Sequence, residues 1–168
     1  MSQKQADYLI SGGLVVRGSG VTRENVLVRD GKIEAVGSDL SCDGVKRIID
    51  ASGTYVFPGI IDAHNHPIYA DRIETFSLSA AFGGITTVVP FIQSQRAIGI
   101  EGTTLDAVTR FLDEAHETSY LDFGIHAILM GDDDVKNQVP ELIKMGVISF
   151  KMFMTYPRRG MMMPDDKM

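Results

Sequence analysis

The strongest constraint on the fold is a change of pattern after residue 58, where strand-like apolar runs begin to alternate with segments of helical length. The runs start at four places, near Gly59, Ile85, Leu121 and Val147. Successive starts lie 26, 36 and 26 residues apart. Such alternation favours right-handed βαβ units around a parallel sheet. The spacing is typical of a (β/α)8 (TIM) barrel, which needs about 250 residues. Residues 58–168 therefore predict about the first half of a barrel.

Two of the intervening segments have the pattern of helices. Thr103–Ser119 places its apolar residues at helical spacing, with Thr104 or Asp106 available to support the first turn. Residues 135–145 follow three consecutive aspartates, and carboxylates suit a helix N-terminus.

Residues 1–57 have a different pattern, short strands separated by turns. Asp30-Gly31 lies between two apolar runs and tolerates positive φ angles, so it predicts a tight hairpin. Ser11-Gly12-Gly13 predicts another turn between two strands. We expect part of a β-sandwich here. The whole chain is predicted as α/β: sandwich strands in residues 1–57, then the half barrel in 58–168.

Composition excludes several classes of protein. The formal charge is −6 and the isoelectric point is near 5.1, so a nucleic-acid partner, which calls for a basic surface, is not expected. A single cysteine, Cys42, fits a reducing compartment. No apolar stretch reaches the roughly 18 residues of a membrane span, and no signal peptide is recognisable. We expect a cytoplasmic protein without a membrane partner.

Two histidines follow the first strand of the half barrel. His64 and His66 are two residues apart, so on a strand their side chains point to the same face. Two imidazoles side by side at the end of a barrel strand can chelate a metal ion, with Asp62 as a supporting partner. A pair of histidines packed and hydrogen-bonded in a loop is the alternative interpretation.

Lys151 lies in the fourth strand run. Alternation places it with Ser149 and Phe153 on one face, and the apolar set Phe150, Met152 and Met154 on the other. The apolar face suits contact with helices, which directs Lys151 to the lumen. Burial of an ammonium group is costly, so a lumen lysine indicates a reactive amine. A lysine that reaches water or pairs with a carboxylate is the alternative.

Two further residues are weaker candidates. Tyr156 follows the fourth strand closely enough for its phenol to reach a bound substrate, or it is a packed loop residue. His126, in the third strand run, is either a residue that supports the site or a core histidine.

Several motifs together resemble the cyclic amidohydrolases, and most closely their hydantoinase/dihydropyrimidinase branch. The superfamily-wide part is Pro-Gly-Ile-Ile-Asp-Ala-His-Asn-His at residues 58–66. The more specific part is Ser-Phe-Lys-Met-Phe-Met-Thr-Tyr at residues 149–156. Asp30-Gly31-Lys32-Ile33 and Gly83-Gly84-Ile85-Thr86-Thr87-Val88 extend the resemblance over nearly the whole chain.

The resemblance implies a binuclear metal centre, usually of zinc, that opens a hydantoin or dihydropyrimidine ring with a bridging hydroxide. His64 and His66 match ligands of the more buried metal, and Lys151 matches the carbamylated lysine that bridges the two metals. Tyr156 matches the tyrosine that binds the substrate and its developing oxyanion. Phe153 matches a residue near the substrate's exocyclic group. A small cyclic amide or ureide substrate and a homo-oligomer, often a tetramer, are implied as well.

Other functions remain open at this point. Allantoinase or dihydroorotase activity is the alternative within the enzyme class, and a non-enzymatic dihydropyrimidinase-like scaffold or an inactive fragment is the alternative outside it. The resemblance implies two more histidines and an aspartate beyond Met168. We therefore expect the 168-residue chain by itself to be inactive.

Overall fold

The structure, a computed structural model, describes residues 5–69, 71–94, 99–131 and 133–167. The chain divides into two compact units, Met1–Pro58 (the N-terminal unit) and Gly59–Met168 (the C-terminal unit).

The N-terminal unit contains one five-stranded sheet. The strands are β1 (Ala6–Arg17), β2 (Gly20–Arg29), β3 (Lys32–Gly37), β4 (Val45–Asp50) and β5 (Tyr55–Val56). Their spatial order is β3-β2-β1-β4, and β5 pairs with β1. β2 is antiparallel to both β1 and β3, whereas β4 and β5 run parallel to β1.

The hairpin predicted at Asp30-Gly31 is confirmed. Asp30 has φ 50° and Gly31 has φ 70°, so both central residues adopt the positive φ that a tight two-residue hairpin requires. Arg29 and Lys32 face each other across the turn. Local chemistry is sufficient to determine this connection.

The turn predicted at Ser11-Gly12-Gly13 is wrong, because β1 continues through these residues. The pairing of β1 with β2 shifts register between Ile10 and Gly13, and Gly12 adopts φ 75°. The backbone N–H of Gly12 donates to Asn25 Oδ1 at 2.9 Å. The glycines therefore form an irregularity inside one strand, which a partner on β2 stabilises.

The C-terminal unit has a parallel sheet with three α-helices. The strands are β6 (Ile60–Asn65), β7 (Ile85–Ile92), β8 (Asp122–Phe123), β9 (His126–Leu129) and β10 (Ser149–Met152). The sheet order is β10-β9-β7-β6, and β8 also pairs with β7. The helices are α1 (Ile73–Phe82), α2 (Thr104–Thr118) and α3 (Val135–Lys144). The predicted α/β class, with N-terminal strands followed by a barrel-type half sheet, is confirmed.

The third strand run is divided into β8 and β9. The two pieces pair with successive parts of β7, and the backbone N–H of Gly124 between them donates to Val88 O at 3.0 Å. The run predicted as one strand therefore bends at Gly124-Ile125.

Helix α2 occupies almost all of the segment predicted for it. Its N-cap is Thr103, whose side chain accepts a hydrogen bond from Asp106 N, and the Asp106 carboxylate accepts from Thr103 N at 2.8 Å. This is a reciprocal capping box. Helix α3 is likewise confirmed. Asp132, named with the aspartates before it, lies outside the described residues.

A buried carboxylate connects the starts of α2 and α3. Asp133 is 3% exposed, and its oxygens accept from the backbone and hydroxyl of Thr104, the backbone of Met130 and the amide of Gln138. The distances lie between 2.6 and 3.2 Å. These four residues are called the Asp133 network below.

The apolar core of the C-terminal unit lies between its helices and its sheet. The largest group includes Val108, Leu129, Leu142 and Met163, each no more than 2% exposed. None of the helices within the described residues is long and apolar enough to cross a membrane.

Candidate active site

The two histidines lie where β6 ends. His64 is in the strand and His66 follows it directly; their ring centroids are 5.4 Å apart, with the planes at 63°. Asp62, predicted as a partner of the imidazoles, accepts instead from the backbone N–H of His64 at 3.2 Å. The aspartate therefore fixes the backbone on which the two rings are mounted.

Both rings contact Phe91, near the carboxyl end of β7. The centroid of Phe91 lies 4.7 Å from that of His64 and 5.0 Å from that of His66, which is stacked on it at 17°. On β9, His126 also stacks on Phe91, at 4.6 Å and 26°. Phe91 was missed in the sequence because an apolar residue at a strand end is normally assigned to the core.

Lys151 on β10 reaches the same ring. Its Nζ lies 4.7 Å from the centroid of Phe91 and 5.1 Å from that of Phe153, within the range of cation–π contacts. The structure thus brings His64, His66 and Lys151 together around one phenyl group. With Phe91 and His126 they are called the Phe91 cluster below.

The opposite face of β10 only partly matches the prediction. Phe150 packs against the core, as expected for a residue that faces helices. Met152 is 41% exposed and Met154 is 79% exposed, so the prediction that these two side chains are covered by helices is wrong. β10 is at the edge of the sheet, which is consistent with the exposure of both side chains.

The environment of His66 favours a neutral ring. Burial lowers its pKa below the usual 6.5, and the nearby positive charges of Lys151 and His64 lower it further. Its Nδ1 is buried and has no hydrogen-bond partner among the described residues. A neutral imidazole with an unpaired buried nitrogen has a lone pair available for an electrophile or a cation.

Tyr156 lies just beyond β10 and is 51% exposed. Its ring centroid is 5.9 Å from that of Phe153, which in turn contacts Lys151. Tyr156 has φ 65°, a left-handed conformation that is unfavourable for a tyrosine. A short helix at Pro157–Arg159 follows, and Arg159 N donates to Tyr156 O at 3.0 Å. A strained backbone held by its neighbours often occurs at functional positions.

The described donors for a metal ion are few. No three His, Cys, Asp or Glu side chains in residues 5–69, 71–94, 99–131 and 133–167 lie close enough to hold a metal ion together. Two adjacent imidazoles, one of them with a buried nitrogen that lacks a partner, are nevertheless donors that suit zinc. The residues present therefore fit one side of a metal centre, with the amine of Lys151 beside them.

No protein-family model matches the chain, but individual proteins do. The D-hydantoinase of Ralstonia pickettii is 38% identical to this chain, and the aligned part covers 95% of this chain and 35% of the relative. The L-hydantoinase of Paenarthrobacter aurescens is 34% identical to this chain, and the aligned part covers 92% of this chain and 34% of that relative. The chain thus spans about a third of the length of these curated relatives.

Solved structures agree with this relationship. In the comparison with a structure of D-hydantoinase, the matched part covers 95% of this chain and 35% of the D-hydantoinase chain, with a TM-score of 0.77 and 37% identity. The dihydropyrimidinase from Brevibacillus agri matches the same shares with a TM-score of 0.81 and 29% identity. The resemblance seen in the sequence motifs is confirmed: over nearly its whole length, this chain corresponds to the N-terminal third of the hydantoinases and dihydropyrimidinases.

Proposed function

We propose that this chain forms part of an enzyme that hydrolyses a cyclic amide, opening a hydantoin or dihydropyrimidine ring with the help of two divalent metal ions, which we expect to be zinc. The observation that carries the proposal is the convergence of His64, His66 and Lys151 on the ring of Phe91 at the end of a parallel sheet. The hydantoinase names of the relatives supply the class of substrate.

In this proposal His64 and His66 hold the first metal through ring nitrogens. The lowered pKa of His66 supports the role, because protons compete poorly for a ring that is already kept neutral. Bound there, the metals supply activation of water at neutral pH and polarisation of the amide carbonyl.

Lys151 would hold the two metals only after a covalent change. The deprotonated amine would add to CO₂, with formation of a new N–C bond and loss of one proton to solvent. The product is a carbamate, whose two oxygens sit on a long flexible stem and can reach two cations. Among the described residues no carboxylate makes a salt bridge with Lys151, so no ion pair has to be broken before the amine reacts.

Tyr156 and Phe153 are proposed to act on the substrate. The tyrosine hydroxyl donates a hydrogen bond to the oxygen that gains negative charge as water attacks the ring carbonyl. Phe153, in ring contact with Tyr156, lies against the substituent outside the ring.

The decisive experiment measures hydrolysis and bound metal in the same samples. In the complete enzyme that contains this chain, the opening of hydantoin and dihydrouracil is assayed before and after chelation, then after addition of Zn²⁺ and bicarbonate. Lys151→Ala is expected to abolish turnover, and a short carboxylic acid to restore part of it by providing a carboxylate. Lys144→Ala, an exposed lysine paired with Glu141, is the matched control. Turnover that survives chelation and the Lys151 substitution would contradict the proposal.

A second measurement tests the proposed role of Tyr156 in the reaction. Tyr156→Phe should lower kcat by roughly 10²-fold, the scale for loss of one oxyanion donor, with a smaller change in KM. Tyr120→Phe, at an exposed tyrosine after α2, serves as control. Allantoin and dihydroorotate are run in parallel, since preferred opening of either ring would change the substrate assignment and leave the reaction class intact.

A further inference from the structure

His126 occupies the centre of a row of neighbours that crosses the sheet. It begins β9, where it pairs with Phe91 of β7 on one side and with Ser149 of β10 on the other. Its Nε2 also lies 3.2 Å from the carbonyl oxygen of Ala63 on β6. One imidazole therefore contacts the strand that carries His64 and the strand that carries Lys151.

The hydrogen bonds of this ring determine where its proton lies. A carbonyl oxygen only accepts, so Nε2 of His126 carries the hydrogen and donates to Ala63 O. In a neutral ring Nδ1 then has a lone pair, and the hydroxyl of Ser149 donates to it. Both polar atoms of the ring are used in joining β6 to β10.

The bond to Ala63 holds a part of β6 that the sheet itself holds poorly. Pairing of β6 with β7 is irregular, with a register shift between Asp62 and Asn65. Ala63 and His64 lie within this irregular stretch. Because regular strand pairing is interrupted there, the bond from His126 provides a second attachment for the backbone next to His64.

We propose that His126 is a positioning residue, which sets the separation of the two imidazoles from the amine of Lys151 before any metal binds. Its two hydrogen-bond partners are close in sequence to the proposed ligands: Ala63 precedes His64, and Ser149 is two residues before Lys151. The ring of Phe91 stacks with that of His126 and with that of His66. The inference rests on the proposed function, since it concerns the same site.

The first test uses metal-free protein and needs no activity. A long-range ¹H–¹⁵N spectrum above pH 8 should show His126 as the Nε2–H tautomer, and Ser149→Ala should change its Nδ1 shift. An Nδ1–H tautomer would overturn the inference, because that ring cannot donate to Ala63 O.

The second test measures the affinity for Zn²⁺ by competition with a chromophoric chelator. His126→Ala should weaken binding by about 10- to 100-fold, as for other residues that orient metal ligands. His126→Gln places an amide N–H near the position of Nε2 and should recover part of the affinity. The visible spectrum of bound Co²⁺ should change in His126→Ala, because the spectrum reports the arrangement of the ligands.

A matched control separates positioning from general loss of stability. Gln138→Ala removes buried hydrogen bonds to Leu105 N and Asp133 and leaves the Phe91 cluster untouched. It should lower stability without weakening Zn²⁺ binding. If His126→Ala and Gln138→Ala weaken binding equally, or if His126→Gln is as weak as His126→Ala, the positioning role is wrong. Absence of Zn²⁺ binding in the wild type would overturn the proposed function, and the inference with it.

Discussion

Two groups of buried polar atoms in the C-terminal unit have opposite characters. In the Asp133 network each carboxylate oxygen accepts two hydrogen bonds from neighbours in α2, α3 and the end of β9. In the Phe91 cluster the side chains are two imidazoles and an amine beside a third imidazole, and Nδ1 of His66 has no described partner. Among the described residues, both oxygens of the first group have partners, whereas one nitrogen of the second group has none.

The difference separates a group that stabilises the fold from one that is available for chemistry. The hydrogen bonds to a fully paired buried carboxylate offset the free energy that its desolvation costs. In the Phe91 cluster a buried nitrogen of His66 has no described partner, and the charge of Lys151 opposes protonation of that ring. Variants in the two groups should therefore have different effects on the free energy of unfolding.

The largest effect is expected for Asp133→Ala. Three donors lose their acceptor in a buried site, whereas the Thr104 hydroxyl keeps Ile128 O at 2.9 Å, and we expect the free energy of unfolding to fall by about 3 kcal/mol. Urea unfolding followed by circular dichroism measures it. Asp134→Ala, at the exposed N-cap of α3, should lower stability by only about 1 kcal/mol or less. Similar losses in the two variants would remove the distinction on which the comparison rests.

Local chemistry explains which parts of the structure could be predicted from the sequence. The Asp30-Gly31 hairpin depends on two residues that tolerate positive φ, and α2 depends on the spacing of its own apolar residues. His64 and His66 come together because strand alternation directs them to one face. Each of these features is determined by residues within one element or one turn.

The features that were missed depend on partners distant in sequence. The irregularity at Gly12 needs Asn25 from another strand. Asp133 could be assigned from sequence only to the start of α3, whereas Thr104, 29 residues away, provides two of its donors. Phe91 carries no chemical signal of its own, and only the folded sheet shows that four site residues surround it.

Thr103→Ala sharpens the comparison at the same end of α2. This exposed N-cap is one residue from the buried Thr104, and its loss should cost about 1 kcal/mol, less than the loss of Asp133. Thr109→Ala, the same substitution inside the helix, should be neutral or slightly stabilising because alanine has the higher helix propensity. Equal changes in the two variants, measured by urea unfolding, would show that the capping box contributes nothing.

His66→Leu should have a smaller effect on stability and a distinct pH dependence. The leucine keeps apolar contact with Phe91 and removes a nitrogen that lacks a partner, so metal-free stability near pH 8 should change by less than about 1 kcal/mol. In the wild type the unfolded chain binds the proton first as the pH falls below 6.5, because folding lowers the pKa of His66. Wild-type stability should thus decline below pH 6.5, and the variant should lose that part of the decline. If the variant kept the wild-type dependence of stability on pH, the decline would arise from other titrating groups.

The smallest effect, and the most direct test of the geometry, is the response of His66 to the charge at Lys151. Burial is the main cause of its lowered pKa, and the charge of Lys151 is the second. Lys151→Met should therefore raise the pKa of His66, measured by NMR titration of its ring protons, while burial keeps the value below 6.5. Lys144→Met on α3 should leave it unchanged. Carbamylation reverses the sign of the charge at Lys151, so metal-free protein in ¹³C-bicarbonate should show a larger upward shift together with a new carbamate carbon signal. An unaltered pKa in Lys151→Met would mean that the amine lies too far from His66 to share a metal site with it.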